Sequence, residues 1–209
     1  MIMRKILVMG DTEARYHPLH CIFPIHNVLG KEKLTFTNDY DYFTKLNEFD
    51  LLICFVDAWI VEDNKENKLI TKEQSAALLD YINNGGKILS IHTGMSIQAT
   101  EGLENVHGAK FLDHPPYCEI VVNVAKGHRL TEGVNDFRIN DEPYHFEVYE
   151  DFDIFANYEF DGKKVPAAWE KDHGKGKLIY LMPGHDEAVF ACEDYLRLIK
   201  NCVEYLVTV

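Results

Sequence analysis

Three unbroken apolar runs constrain this chain more than any other feature: Lys5 to Met9 (KILVM), Leu51 to Val56 (LLICFV) and Lys87 to Ile91 (KILSI). A strand that wets one face alternates polar and apolar residues. Runs without alternation therefore belong to strands buried on both faces, as in a parallel sheet covered by helices. Leu34 to Thr37 adds a strand signal, and stretches of helical potential separate these runs, which is the alternation of an α/β fold. The expectation is that all three runs are interior strands of one sheet.

The helices carry their own punctuation. Thr71 with Gln74 three residues on forms a capping box, Ala77, Leu78, Tyr81 and Ile82 make an apolar stripe, and Gly85-Gly86 supplies the stop, so a helix is expected over Thr71 to Asn83. Tyr195, Leu198, Ile199, Cys202, Val203 and Leu206 fall at helical spacing and predict a closing amphipathic helix over Glu193 to Leu206. Beyond residue 110 the runs shorten, at Glu119 to Val124, His145 to Tyr149, Ile154 to Phe160, Val165 to Trp169 and Lys177 to Leu181. Asp161-Gly162 and Gly174-Lys175-Gly176 sit between consecutive runs as hairpin turns. The fold class expected is a three-layer α/β domain with a mainly parallel central sheet flanked by helices and a small antiparallel β extension. At 209 residues, without repeat or linker, one domain over residues 1–209 is expected.

Charge narrows the function. A formal net charge of -13 repels phosphate, so nucleic acid and anionic membrane surfaces are excluded as partners. No apolar stretch approaches the roughly 20 residues that span a bilayer, and Met1 to Met9 lacks the apolar core and cleavage site of a signal peptide. Five cysteines without CxxC spacing fit a reduced, cytoplasmic setting, with Cys54 and Cys202 as core residues.

Polar groups punctuate the ends of the apolar runs. Gly85 to Gly94 reads as helix end, buried strand and tight turn, the elbow geometry that presents one side chain at a strand's carboxyl end. The apex residue is His92, whose imidazole can move protons near neutral pH or ligate a metal. Pro183-Gly184-His185-Asp186-Glu187 follows the last strand run, and if both strands share one parallel sheet their carboxyl ends open onto one crevice. Asn140 to His145, Asp113-His114-Pro115 and His128 are further polar clusters, and Asp11 follows the first run. The bland readings stand beside these. Asp141 and Glu142 can cap a solvated turn, and Trp169 is more often core than a platform for a pyranose face. His17, His20 and His26 fit a partly exposed amphipathic segment, and His107 and His173 fit the surface.

The ordered motifs resemble one family. Gly85-Gly86, His92, Phe111-Leu112-Asp113-His114-Pro115, His128 with Thr131 and Gly133, Asp141-Glu142, Tyr144, Trp169, Gly174-Lys175-Gly176 and Gly184-His185-Asp186 resemble, in that order, the trehalose-utilisation, ThuA-like proteins. The resemblance covers nearly all of the chain from residue 80. It implies a fold similar to class I glutamine amidotransferases, whose triad places Cys at the elbow and His-x-Glu after a later strand. Here His92 stands at the apex and His185-Asp186-Glu187 keeps the His-x-Glu spacing, so glutaminase chemistry through a thioester is not expected.

The function implied is action on, or binding of, a small-molecule carbohydrate or keto-sugar derivative by acid/base chemistry. His92, His185, Glu142 and Glu187 are the catalytic candidates; His114, Asp141, Tyr144, Asp11 and Trp169 are the substrate-binding candidates. No cofactor and no metal are expected. A non-catalytic sugar-binding or regulatory domain is the alternative. A metal-dependent enzyme using His92, His114, His185 and a carboxylate ranks third, since no HxH or HExxH spacing speaks for it. A homo-oligomer is left open.

Overall fold

A computed structural model describes residues 3–14, 16–59 and 69–209; Met1 and Ile2 of the first apolar run lie outside the described residues. The chain opens with β1 (Lys5–Gly10), a single-turn helix α1 (His26–Leu29), β2 (Lys33–Thr37), β3 (Leu51–Phe55), α2 (Lys72–Asn83) and β4 (Lys87–Ile91). It continues through β5 (Ala109–Asp113), β6 (Cys118–Val124), β7 (Phe137–Asp141), β8 (His145–Val148), β9 (Asp153–Phe160), β10 (Lys163–His173) and β11 (Gly176–Leu181) to α3 (Glu193–Leu206).

Nine strands form one sheet in the order β2-β1-β3-β4-β11-β10-β9-β6-β7. The first five pair in parallel, and this half has the doubly wound order with a reversal at β1. All three unbroken apolar runs are interior, and every residue of β3 is fully buried, as two covered faces require. The four remaining strands continue the same sheet in antiparallel fashion. The antiparallel extension is therefore larger than expected: β7, which the sequence reading did not mark, alternates buried and exposed residues over only five positions. β5 and β8 pair apart as a two-stranded antiparallel ribbon.

The capping box of α2 forms as expected. Thr71 Oγ1 accepts from Gln74 N at 3.2 Å and Gln74 Oε1 from Thr71 N at 3.0 Å. α2 packs with the 3₁₀ segment Tyr40–Glu48, and α3 packs with α1 and with Leu19–Ile25. Trp169, a candidate sugar platform from sequence, is fully buried and stacks on Phe152, with its Nε1 donating to the carbonyl of His107 at 3.0 Å. A ring with no exposed face cannot receive a pyranose, so Trp169 is a core residue. His107 is likewise fully buried, not at the surface, and its Nε2 meets Ser90 Oγ at 2.8 Å. Among the described residues no helix is long and apolar enough to cross a membrane.

Candidate functional site

The carboxyl ends of β1, β3, β4 and β11 lie side by side, and each is followed at once by a polar segment. After β4 the chain turns sharply. His92 has φ 45°, a left-handed conformation that a non-glycine residue adopts at some cost. Two glycines make the turn possible. A Cβ on Gly94 would stand 2.2 Å from the carbonyl oxygen of Cys54, and one on Gly184 would stand 2.8 Å from Cβ of His92. Ser90, two residues before the apex, is fully buried, and its hydroxyl meets His107 Nε2 at 2.8 Å.

The His92 imidazole is fully buried. Its Nδ1 lies 2.6 Å from the carbonyl of Met182, which can only accept, so Nδ1 carries the hydrogen and Nε2 keeps its lone pair. That Nε2 is buried and has no hydrogen-bond partner among the described residues. Burial, with His17 beside it, holds the pKa of His92 well below the usual histidine value.

His17 reaches the same place from the loop after β1. Gly10 lets that loop fold back closely, since a Cβ there would meet Leu19 at 2.8 Å, and Leu19 N is bonded to Asp11 O at 2.8 Å. His17 is thus buried, contrary to the exposed amphipathic reading. Its Nδ1 lies 3.1 Å from Asp57 Oδ2, at the carboxyl end of β3, and its Nε2 lies 3.2 Å from Nδ1 of His185.

Asp141 fixes the opposite wall. It is fully buried, and its two oxygens accept from Glu142 N and Gly184 N, each at 2.7 Å. Burial pushes its pKa up to about 7 against these backbone donors. This clamp brings Glu142 Oε2 to 3.1 Å from His185 Nδ1 and 4.0 Å from His17 Nε2. Burial alone would raise Glu142 and lower His185, yet their mutual hydrogen bond and charge outweigh it, so Glu142 lies below and His185 above its ordinary value.

The expected residues sort accordingly. His92 and His185 lie with ring centroids 5.9 Å apart, well inside the roughly 12 Å that one small ligand can bridge. Glu142 is the carboxylate on His185; Glu187 is exposed and its backbone faces Cys21 instead. Asp141 is a clamp whose two oxygens accept from backbone N–H groups. Asp11 is also turned inward, accepting from Tyr40 Oη at 2.7 Å and Asp57 N at 2.8 Å. Tyr144 is buried with its ring 4.3 Å from that of His92, and burial keeps its phenol protonated. His114 stands at the exposed rim, 3.8 Å from Glu142 Oε2.

Three neighbours escaped the sequence reading: His17, Asp57 and Tyr117. Tyr117 sits on the open side with its ring 5.3 Å from His185 and its hydroxyl donating to Asp186 at 2.8 Å. Asp57 follows β3 much as His92 follows β4, so the rule of strand ends, applied to every parallel strand, finds it, whereas His17 reaches the site only through the fold-back of the loop after β1.

An elbow at the end of a central parallel strand, ringed by polar groups from its neighbours, defines the class: an α/β protein with a mainly parallel sheet and a polar site at its carboxyl edge. Within that class the chain belongs to the ThuA family: the family described as trehalose utilisation matches residues 5–206. A ThuA-like protein from Parabacteroides merdae has a TM-score of 0.78 at 17% identity, over 99% of this chain and 91% of that one. Another from Bacteroides uniformis has a TM-score of 0.72 at 17% identity, over 97% and 91%. A β-galactosidase from Rahnella sp. R3 has a TM-score of 0.65 at 16% identity, over 95% of this chain but 31% of that enzyme, so the same fold serves there as one part of a larger protein. No curated protein sequence matches the chain.

Proposed function

We propose that the chain acts on a carbohydrate or keto-sugar derivative held over His92 and His185, by acid/base chemistry at the carboxyl edge of the sheet and without a glutaminase step. The observation that carries this is the gathering of three imidazoles and Glu142 at the carboxyl edge of the parallel strands, around the strained elbow at His92. The family's carbohydrate connection supplies the substrate class. A carbonyl on the sugar suits the site, since a proton next to a carbonyl is removable by a weak base once the oxygen is polarised. His185 and Glu142 are the members open to solvent, with side chains 17% and 18% exposed, and are the groups a ligand meets first. His114 and Tyr117 would border the ligand.

The test is turnover of a panel of sugars and keto sugars by the wild type, His185→Ala and Glu142→Gln. Turnover that falls at least tenfold in both variants, with melting temperature held, supports the reading. Saturable sugar binding without turnover would instead make this a binding domain, and neither binding nor turnover on any member would overturn it.

A further inference from the structure

We propose that His17, His92, His185 and Glu142 form a mononuclear site for a divalent transition-metal cation of the zinc type. This rests on the reading of the cluster as the reactive site and names the positive charge that would polarise the sugar oxygen there. One nitrogen or oxygen from each of the four residues lies within 4.8 Å of every other. The edges His17 Nε2 to His185 Nδ1, 3.2 Å, and His185 Nδ1 to Glu142 Oε2, 3.1 Å, match the roughly 3.3 Å between ligands bound at about 2.0 Å in a tetrahedron.

The tautomers are already set for metal. His17 is oriented by Asp57 through Nδ1, and His92 by the Met182 carbonyl through Nδ1, so both leave Nε2 as a lone pair. Outer carboxylates and carbonyls hold metal-binding histidines in this way. The unpartnered Nε2 of His92 is the independent sign: a buried nitrogen acceptor left without a donor is destabilising, and a cation bound there would offset it. Without metal, one hydrogen on His185 Nδ1 faces two acceptors, His17 Nε2 and Glu142 Oε2, and a cation bound by all three replaces it. Three imidazoles and one carboxylate favour zinc-like ions over magnesium or calcium, which take oxygen ligands. Two ligands are buried and two face the open side, so water or a sugar oxygen would enter from that side by expansion to five-coordination.

Sequence spacing hid the set because its four members come from four separate loops. The experiment is titration of Zn2+ into chelator-stripped full chain, read by calorimetry and by metal content after gel filtration, together with the visible spectrum of the Co2+ form. The expected result is one equivalent bound, at least a hundredfold weaker in His17→Gln and in Glu142→Gln with melting temperatures near wild type. Co2+ should show d–d bands without a thiolate charge-transfer band, and Mg2+ at millimolar concentration should not displace Zn2+. Absence of stoichiometric binding, binding unchanged in both variants, or a thiolate band would overturn the metal site. Metal binding without any carbohydrate turnover or affinity would leave this inference standing and overturn the functional reading; loss of turnover in His185→Ala with no metal bound would do the reverse.

Discussion

Asp141 Oδ2 accepts the backbone N–H of Gly184 at 2.7 Å and thereby ties the end of β7 to the turn after β11, which places Glu142 against His185. At the carboxyl edge this side chain links the antiparallel extension to the turn after β11, beside the β10–β11 ladder. Removing it leaves the buried N–H of Gly184 and the part-buried N–H of Glu142 without an acceptor, at about 1–3 kcal/mol each. Asp141→Ala should lower stability by about 2–6 kcal/mol and lose turnover as well, because Glu142 is no longer held against His185. Chemical denaturation measures the first. A variant as stable as wild type would show that the clamp is not structural.

The elbow has a steric signature. His92 at φ 45° tolerates Asn better than a β-branched residue, so His92→Val should be less stable than His92→Asn by about 1–2 kcal/mol. Gly94→Ala should cost about 3 kcal/mol or more, because its methyl would collide with the Cys54 backbone as well as the Ser90 hydroxyl, and backbone cannot swing aside. Equal thermal melts for the Val and Asn variants would contradict the left-handed geometry.

Acid should destabilise the chain through His107. Burial, then the charge of Lys171, lowers its pKa to about 3, against about 6.5 in the unfolded chain. Between these values the unfolded state binds a proton that the folded state refuses. Its contribution is therefore complete above about pH 6.5 and is lost as pH falls toward 3, at up to about 1.4 kcal/mol per pH unit. His107→Gln should remove that share of the slope, as urea titrations at pH 7, 5.5 and 4.5 would read. An unchanged slope would refute the assignment.

No cysteine is expected to act as a nucleophile. Cys54 and Cys202 are fully buried, and burial raises both thiols, Cys54 to about 12. Alkylation of the folded protein should reach Cys118 and Cys192 first, the two that are not buried, and leave turnover intact. Stoichiometric inactivation at one cysteine, prevented by ligand, would overturn this.

Much of the frame was legible in the residues. KILVM, LLICFV and KILSI had to be interior strands because their lack of alternation admits no wet face, and Thr71 with Gln74 fixed the start of α2 because a capping box is local chemistry. His92 and His185 were legible for a similar reason, since a polar residue ending a buried strand has few places to go. Burial by distant segments was not legible. His17 looked like surface because only the folding-back of the loop at Gly10 buries it; Glu142 and Glu187 looked equivalent because only the Asp141 clamp chooses between them. Trp169 had no strand-end signal that could separate core from crevice. The sequence by itself determined which segments are strands and which polar residues end them, because alternation and capping act within a few residues. The tertiary structure alone decided which imidazoles meet, because their spacing is set by strand order and loop return, and these depend on contacts between segments far apart in the chain.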